Sequence, residues 1–386
     1  MGKKDSPSSV FRDWAHLPPE IVELISDRVK SVTDYVRFRV VCSPWHSASL
    51  PKPRHHLSAQ LPWLMLPYSW TDLSSVSFDD VFESKTHRFH LPVPRGRDIS
   101  GTELCGSYRG WLLLSKHLGE EVILLNPLTR ALIQLPPFIA PARDLGGDDW
   151  DVPLYDIIFE HPGNEGFFFP TKVTFSTDLT DPNCLITVFI EPYWVICCQI
   201  GDPCWTRVDI HLQHLRHWAD VTYYDGLFYF LPYSDEGMPI IDSKDTEERI
   251  VHVPELSGAR KFFVEGKSGV YVLAIHPEEK FELYQFLEKP MKLEQITDTS
   301  DRTAIFYGDD YPCLAVSTAD CDSLDGDSVY IERKSGPYTW KCAWKCAVGS
   351  HCNIYSSQLE HEVLESFKER PRLSGEQLMW FQPSFF

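Results

Sequence analysis

The chain has 386 residues, enough for one large β domain with a small module beside it. Aromatic residues make up 13% and charged residues 24% of the chain, a composition that is typical of a folded protein and excludes a disordered one. Its formal net charge of -19 at pH 7 repels phosphate groups, so we expect no nucleic-acid partner and no binding to membranes.

The N-terminal residues and the cysteines indicate the compartment. Lys3 and Lys4 are not followed by the apolar run of a secretory signal, and no stretch approaches the roughly 20 apolar residues that span a bilayer. The 11 cysteines are an odd number without even spacing, which favours free thiols in a reducing compartment. We therefore expect a protein of the cytoplasm, the nucleus or both, with a disordered N-terminus at 1–11.

Residues 12–51 predict three short helices, and the first begins at a pair of prolines. Pro18 and Pro19 follow Leu17, and proline is tolerated in the first helical turn because its missing N–H would have no intrahelical partner there. The apolar residues that follow form one helical stripe, made of Ile21, Leu24, Ile25 and Val29.

Capping residues mark the second and third helices. Ser31 or Thr33 can cap the second helix with its side-chain oxygen. Ser43 can cap the third, with Pro44 at the first helical position, and Pro51 stops that helix.

A module of three short helices leaves much of its chain exposed and usually needs a partner. The order of its residues resembles the F-box, which has a leucine-proline pair, helical aliphatic residues and a valine-cysteine-x-x-tryptophan; the matching residues are Leu17, Pro18, Ile21, Leu24, Val40, Cys42 and Trp45. F-boxes bind a Skp-type adaptor, which links them to a cullin and a RING subunit in a Skp-Cullin-F-box ubiquitin ligase. The resemblance implies that the adaptor-binding residues are Leu17, Pro18, Pro19, Ile21, Leu24, Ile25, Val40, Val41, Cys42 and Trp45. The alternative is a helical N-terminal domain with an ordinary core stripe.

Prolines recur between residues 52 and 100 too often for a long helix, which indicates a proline-rich connector. Apolar clusters at 61–66 and 76–82 would be costly to expose. We therefore expect short strands within the connector, packed on the domain that follows.

Residues 101–386 favour strands separated by turns. A glycine opens a strand-length apolar run at Gly110, Gly226 and Gly269, and more weakly at Gly326. Kelch and WD-type propeller blades repeat every roughly 40 to 50 residues, so the remaining length predicts about six blades. The predicted fold class is therefore α+β multidomain, with a small all-α F-box followed by a large all-β domain that is a β-propeller of about six degenerate blades.

Several segments also resemble a plant family of F-box proteins related to the kelch-repeat F-box group. They are 104–112, 126–129, 205–206, 220–229 and 380–384. The resemblance implies a long, propeller-like C-terminal region that recognises the substrate.

Three clusters contain residue types that ligate metals: His211, His214 and His217; Cys342, Cys346, His351 and Cys352; and the acidic residues of 320–327. The three histidines have no acidic or cysteine companion at ligand spacing. Two of the four zinc-type ligands are adjacent in the sequence, and the acidic segment lacks the register of a calcium loop. We therefore expect no metal and no cofactor.

Catalytic motifs are also absent from the sequence. There is no nucleophile elbow, no phosphate-binding glycine loop and no H-E-x-x-H, and neither Cys105 nor Cys313 has a companion that marks a nucleophile. We also expect charged runs such as 148–151 and 244–249 to be solvated loops.

The sequence therefore predicts a non-catalytic substrate receptor, whose F-box binds the adaptor and whose propeller loops bind an unknown protein to be ubiquitinated. The ligase chemistry would belong to other subunits. One alternative is a propeller enzyme or sugar-binding protein with a helical N-terminal cap. Another is a chain that binds the adaptor without assembling a ligase.

The C-terminal residues 377–386 are too apolar for a free tail, since they include Met379, Trp380, Phe381, Phe385 and Phe386. We expect them to form a closing strand or to pack beneath the first blade. Residues 358–368 predict an amphipathic helix.

Overall fold

The fold is taken from a computed structural model, which divides the chain at residue 60 into a helical unit and a β unit. It describes residues 14–29, 31–49, 61–66, 75–80, 85–91, 102–116, 119–138, 143–144, 170–190, 194–208, 218–233, 237–243, 248–254, 256, 258–266, 268–277, 280–288, 291–299, 302–308, 311–318, 326–334, 340–347 and 379–384. The predicted disordered N-terminus and the amphipathic helix at 358–368 lie outside these residues.

The helical unit contains a 3-10 turn (Trp14–His16) and the helices α1 (Pro19–Ser26), α2 (Val32–Arg39) and α3 (Ser43–Ala48). The predicted cap of α2 is confirmed at Ser31, whose hydroxyl accepts a hydrogen bond from the Asp34 N–H at 3.5 Å. The predicted cap of α3 is wrong by one residue. Cys42 is the extended residue before that helix, and Ser43 and Pro44 occupy its first two positions. Proline is accommodated there because N–H groups of the first turn have no intrahelical acceptor.

The β unit is built from 25 strands among the described residues. In chain order they are β1 (Trp63–Met65), β2 (Ser75–Asp80), β3 (Lys85–His90), β4 (Thr102–Tyr108), β5 (Trp111–Lys116), β6 (Glu121–Leu125), β7 (Leu132–Leu135), β8 (Arg143–Asp144), β9 (Pro170–Phe175), β10 (Leu185–Ile190), β11 (Trp194–Gln199), β12 (Thr206–Arg207), β13 (Trp218–Tyr224), β14 (Leu227–Pro232), β15 (Met238–Asp242), β16 (Glu248–Val251), β17 (Arg260–Gly266), β18 (Gly269–Ile275), β19 (Phe281–Glu288), β20 (Met291–Ile296), β21 (Thr303–Gly308), β22 (Tyr311–Ser317), β23 (Ser328–Lys334), β24 (Trp340–Ala347) and β25 (Met379–Phe381).

These strands form six sheets, which confirms the predicted propeller of about six blades. In order along the chain, the sheets of blades 1 to 6 are β25-β1-β2-β3, β4-β5-β6-β7, β8-β12-β11-β10-β9, β13-β14-β15-β16, β17-β18-β19-β20 and β22-β21-β23-β24. Neighbouring strands are antiparallel except for the pairs β8–β12 and β21–β23, which are parallel. We expect a solvated loop over the charged run 244–249. The structure differs from this expectation at the end of the run, because residues 248 and 249 begin β16.

The predicted connector at 52–100 supplies the first blade. Its strands β1, β2 and β3 form one sheet with the C-terminal strand β25, in the register Trp63 to Phe381 and Met65 to Met379. The described apolar side chains of 61–66 and 76–80 therefore lie in the propeller itself. This arrangement also confirms the predicted closing strand: the two ends of the β unit share a blade, which removes two exposed sheet edges.

Tight turns account for the glycines that open strands. Arg109 and Gly110 have φ values of +45° and +84° in the turn between β4 and β5, and Asp225 and Gly226 have +48° and +84° between β13 and β14. Two consecutive residues with positive φ form the two-residue hairpin turn that matches the twist of paired strands. At Gly110 and Gly226 the glycine signal therefore comes from the hairpin that begins a blade.

The hydrophobic core lies between adjacent blades. Between blades 2 and 3, the Trp205 side chain is fully buried, stacks on Phe138 with ring centroids 5.5 Å apart, and donates a hydrogen bond to the Pro136 carbonyl at 2.8 Å. Similar clusters lie between blades 3 and 4, blades 4 and 5, and blades 5 and 6. Because each blade buries its faces against its neighbours, the ring positions the inner strands precisely around the central axis.

Candidate functional sites

The first candidate site is the apolar surface of the helical unit. In α1, Val22 and Ser26 are buried, whereas Ile21 and Leu24 are 41% and 50% exposed. Val22 and Ser26 are four residues apart and share the inward face, so the predicted stripe lies largely on the outside of the helix. An exposed aliphatic stripe on a small module is a surface available for a protein partner.

Two further aliphatic side chains are exposed where α2 ends. Val40 and Val41 are 72% and 59% exposed. Beside them, the rings of Phe38 and Trp45 lie 4.7 Å apart, and Trp45 Nε1 donates a hydrogen bond to the Trp14 carbonyl at 2.9 Å. Trp45 therefore fixes the 3-10 turn to α3 while part of its ring remains accessible.

None of the ten residues implied by the F-box resemblance is buried within the helical unit. Six of them are exposed, namely Pro18, Pro19, Ile21, Leu24, Val40 and Val41. Four are partly exposed, namely Leu17, Ile25, Cys42 and Trp45. Apolar residues whose own fold leaves them accessible can contribute contact area to an interface.

The second candidate site is a cavity of about 200 Å³ on the propeller axis. Each of the six blades contributes to its wall through its innermost strand. The lining residues include Tyr108 of β4, Lys172 of β9, Tyr224 of β13, Glu265 of β17, Cys313 of β22 and Trp380 of β25.

Lys172, which lines the cavity, belongs to a buried ion pair. Lys172 Nζ lies 3.0 and 3.1 Å from the two carboxylate oxygens of Asp220, and the side chains are only 9% and 11% exposed. The Asp220 carboxylate also accepts hydrogen bonds from the N–H groups of Val221 and Phe263, each at 2.7 Å. The pair therefore joins blades 3, 4 and 5, and its charges are compensated within the protein.

A second polar cluster crosses the axis. The Glu265 carboxylate accepts hydrogen bonds from the hydroxyls of Tyr108 and Thr222. Burial and the nearby Glu265 charge raise the pKa of Tyr108 well above its ordinary value, so this phenol stays protonated and remains a donor. The guanidinium of Arg109 lies 4.9 Å from the centroid of the Tyr108 ring.

The cysteines near the axis do not have the environment of a nucleophile. Burial and the Asp220 charge raise the pKa of Cys313, so its thiol is protonated at neutral pH, and Cys105 is buried among apolar residues. A protonated thiol is a poor nucleophile. Catalysis by either cysteine therefore has no support from its surroundings.

The three clusters of metal-ligating residue types, for which we expect no metal, fall largely outside the described residues. His211, His214, His217, His351 and Cys352 are not described, and Cys342 and Cys346 are described only as positions in β24. Within the described part of the chain, no group of three or more histidine, cysteine, aspartate or glutamate residues could hold a metal ion. In the same residues, no helix has the length and apolar character needed to cross a bilayer.

Sequence reasoning did not find the axial polar residues. Lys172 and Asp220 are the single charged residues of β9 and β13, and Glu265 interrupts an apolar run of β17, so these interruptions were the available signal. They come from three different blades, so only the closed ring brings them together.

Comparisons with known proteins agree with this architecture. The family model for the KIB1-4 beta-propeller matches residues 75–344. The chain is similar to F-box protein SKIP23 of Arabidopsis thaliana, at 24% identity over 83% of this chain and 84% of that protein. It is also similar to F-box protein At2g17036 of the same organism, at 22% identity over 80% of each chain. A shorter match, 49% identical over 13% of each chain, is to the Arabidopsis thaliana putative F-box/kelch-repeat protein At5g24040.

The family model spans well over half of the chain and begins at β2, within the first blade of the ring. The two relatives that cover most of the chain are both F-box proteins. The chain therefore belongs to the KIB1-4 beta-propeller family and is a plant F-box protein with a propeller domain.

Proposed function

We propose that the chain is the substrate-recognition subunit of a Skp-Cullin-F-box ubiquitin ligase. In this role the helical unit binds a Skp-type adaptor, which connects it to a cullin and a RING subunit, and the propeller binds the protein to be ubiquitinated. The relatives are F-box proteins, which supports a role as a substrate receptor in general. The proposal further assigns the protein to the cytoplasm, the nucleus or both. There the chain would bind the adaptor and, through it, the cullin and RING subunits.

The observation that carries the proposal is the outward position of the aliphatic residues in the helical unit. Leu24 and Val40 are at least half exposed although each is apolar. Burying a large aliphatic side chain contributes roughly 1.5 to 3 kcal/mol, so an adaptor that covers both side chains gains substantial affinity. The proposed contact set is the ten residues named for the F-box.

Adaptor binding is tested with the purified full chain and a Skp-type adaptor by isothermal titration calorimetry. The variant Leu24→Ala with Val40→Ala removes apolar surface that the helical unit leaves exposed. We expect the dissociation constant to rise by more than about tenfold. The matched control is Ile250→Ala, because Ile250 is 62% exposed but lies on β16 of the propeller. Equal affinity of the double variant and the unchanged chain would contradict the assigned surface.

Ligase assembly is a separate step and needs its own measurement. We expect the full chain, mixed with adaptor, cullin and RING subunits, to elute as one complex from a sizing column. An adaptor complex that excludes the cullin would show that the chain binds the adaptor without assembling a ligase. The substrate is then sought by affinity purification from plant cells with the proteasome blocked, comparing the full chain with the double variant.

A further inference from the structure

Arg39, the last residue of α2, is a cation without a counter-ion among the described residues. Arg37 of the same helix forms an ion pair with Asp34 at 3.2 Å, whereas no described carboxylate pairs with Arg39. The polar contact of Arg39 joins its Nη2 to His46 Nε2 at 3.3 Å. A guanidinium can only donate hydrogen bonds, so His46 Nε2 is the acceptor and does not neutralise the charge.

One edge of this guanidinium is withdrawn from water and the other edge is open. The Arg39 Nε atom is buried and has no hydrogen-bond partner, and the residue as a whole is only partly exposed. A buried donor without a partner is uncommon in folded proteins. The Nη1 group also has no partner among the described residues, but it is not buried. An anion at the Nη edge would therefore meet a partly desolvated cation, where charges attract more strongly than in bulk water.

The position of Arg39 connects it with the surface proposed for the adaptor. It directly precedes Val40 and Val41, which are 72% and 59% exposed. Its guanidinium reaches His46 of α3, the residue after Trp45. The uncompensated cation is therefore adjacent in the chain to apolar residues of the proposed contact set. Arginine is enriched in protein interfaces, where it combines charge with a fixed planar geometry.

We propose that the adaptor places an aspartate or glutamate carboxylate against the Nη edge of Arg39. The N–H groups of Nη1 and Nη2 can point to the two oxygens of one carboxylate, the geometry in which arginine binds this group most strongly. This inference rests on the proposed adaptor binding and adds one charged contact to a contact set that is mostly apolar. A single ion pair beside apolar contacts fixes the orientation of the partner, because a shifted orientation would leave both charges unpaired.

The test measures binding of a Skp-type adaptor to the full chain by isothermal titration calorimetry, at about 50 and about 500 mM NaCl, where screening is weak and strong. Arg39→Gln removes the charge, and we expect the dissociation constant at low salt to rise roughly five- to twentyfold. Arg39→Lys keeps the charge but not the planar pair of donors, so it should recover only part of the loss. Higher salt should weaken binding of the unchanged chain more than binding of Arg39→Gln.

Arg37→Gln is the matched control, since it removes the same charge from the same helix. The Arg37 side chain is 63% exposed and already paired with Asp34, and it lies about 200° around the helix from Arg39. We expect its dissociation constant to stay within about twofold of that of the unchanged chain. Circular dichroism confirms that each variant is folded. Equal losses for Arg37→Gln and Arg39→Gln would indicate a general attraction and overturn the specific pair.

The carboxylate is located by changing each exposed aspartate and glutamate of the adaptor to its amide. We expect one of these changes to weaken binding of the unchanged chain and to have no further effect on Arg39→Gln, as two partners of one contact should behave. Adaptor binding that is the same for Arg39→Gln and the unchanged chain overturns this inference but leaves the proposed function standing. An unchanged chain that does not bind the adaptor contradicts both.

Discussion

Tyr108 in β4 donates a hydrogen bond to Glu265 in β17, although the two residues are 157 positions apart in the sequence. Their strands belong to blades 2 and 5, which lie on opposite sides of a six-membered ring. The bond therefore joins two opposite blades beside the axial cavity that both residues line.

The first prediction concerns this bond across the axis. Tyr108→Phe leaves the Glu265 carboxylate with one hydroxyl donor, from Thr222, in a partly buried position. We expect the free energy of unfolding to fall by about 1 to 3 kcal/mol, the cost of leaving a buried polar group without its partner. Urea unfolding followed by tryptophan fluorescence measures the change. The control Tyr233→Phe, on an exposed tyrosine, should change stability by less than about 0.5 kcal/mol. Equal effects of the two variants would contradict a structural role for the Tyr108 hydroxyl.

The second prediction concerns the ion pair between blades 3 and 4. Lys172→Met leaves the buried Asp220 carboxylate without its cation, and we expect a loss of about 3 to 5 kcal/mol in unfolding free energy. Adding Asp220→Asn removes the uncompensated charge, so the double variant should be more stable than Lys172→Met alone. Chemical denaturation of the two variants and the unchanged chain measures these values. A double variant that is less stable than Lys172→Met would show that charge compensation is not the main contribution of Lys172.

The third prediction concerns the contact of the C-terminal segment with blade 2. A Cβ atom added at Gly110 would lie 2.7 Å from the backbone nitrogen of Ser384, and Asn126 Nδ2 donates a hydrogen bond to the Ser384 carbonyl at 2.8 Å. We expect Gly110→Ala to displace the segment and to destabilise the protein by about 2 to 4 kcal/mol, since overpacking adds to the strain of a positive φ. Thermal unfolding and denaturant titration measure this loss.

Gly226 provides the matched control for this contact. It has the same φ of +84° as Gly110, but a Cβ atom there would meet nothing within 4 Å. Gly226→Ala should therefore cost only the backbone strain, about 1 to 2 kcal/mol. Similar losses for the two glycine variants would mean that the C-terminal contact contributes little.

A chain truncated at Gly375 that kept its melting temperature would contradict the closing role of β25.

The fourth prediction is a dependence of stability on pH in blade 5. Burial alone raises the pKa of Glu282, but hydrogen bonds from Lys280, Tyr284 and His276 lower it to about 2, from an ordinary value of 4.5. Because the folded state binds this proton less readily than the unfolded chain, the carboxylate stabilises the fold above pH 4.5, and this stabilisation is lost as the pH falls towards 2. The contribution at neutral pH is on the order of 1 to 3 kcal/mol.

Glu282→Gln tests this dependence, because the amide does not titrate. We expect the stability difference between the unchanged chain and the variant to be constant above pH 5 or so and to shrink steadily below it. Urea unfolding at a series of pH values, with the unfolding transition followed by circular dichroism, provides the measurement. A difference that does not change between neutral and acid pH would show that the carboxylate charge is not the source of the stabilisation.

The sequence alone was sufficient to predict features that depend on neighbouring residues. The start of α1 at Pro19 follows from the absence of an N–H partner in the first helical turn, and the cap at Ser31 follows from its side-chain oxygen. The apolar segment 377–386 predicted a closing strand or packing beneath the first blade, because such a segment is costly to expose, and residues 379–381 form the strand. The resemblance of the helical residues to the F-box also came from the local order of residue types, without knowledge of the fold.

The tertiary structure decided which distant residues meet. The local sequence pattern did not distinguish the first blade from a proline-rich connector. The strand β1 has only three residues, and its sheet is completed by β25 from the other end of the chain. Lys172 and Asp220 each look like one charge in a mostly apolar strand, and Glu265 follows an apolar run in β17. The partners of all three are selected by the closure of six blades around one axis. Local spacing determines strands and turns through backbone geometry, whereas contacts across the axis depend on the number of blades and on the register that closes the ring.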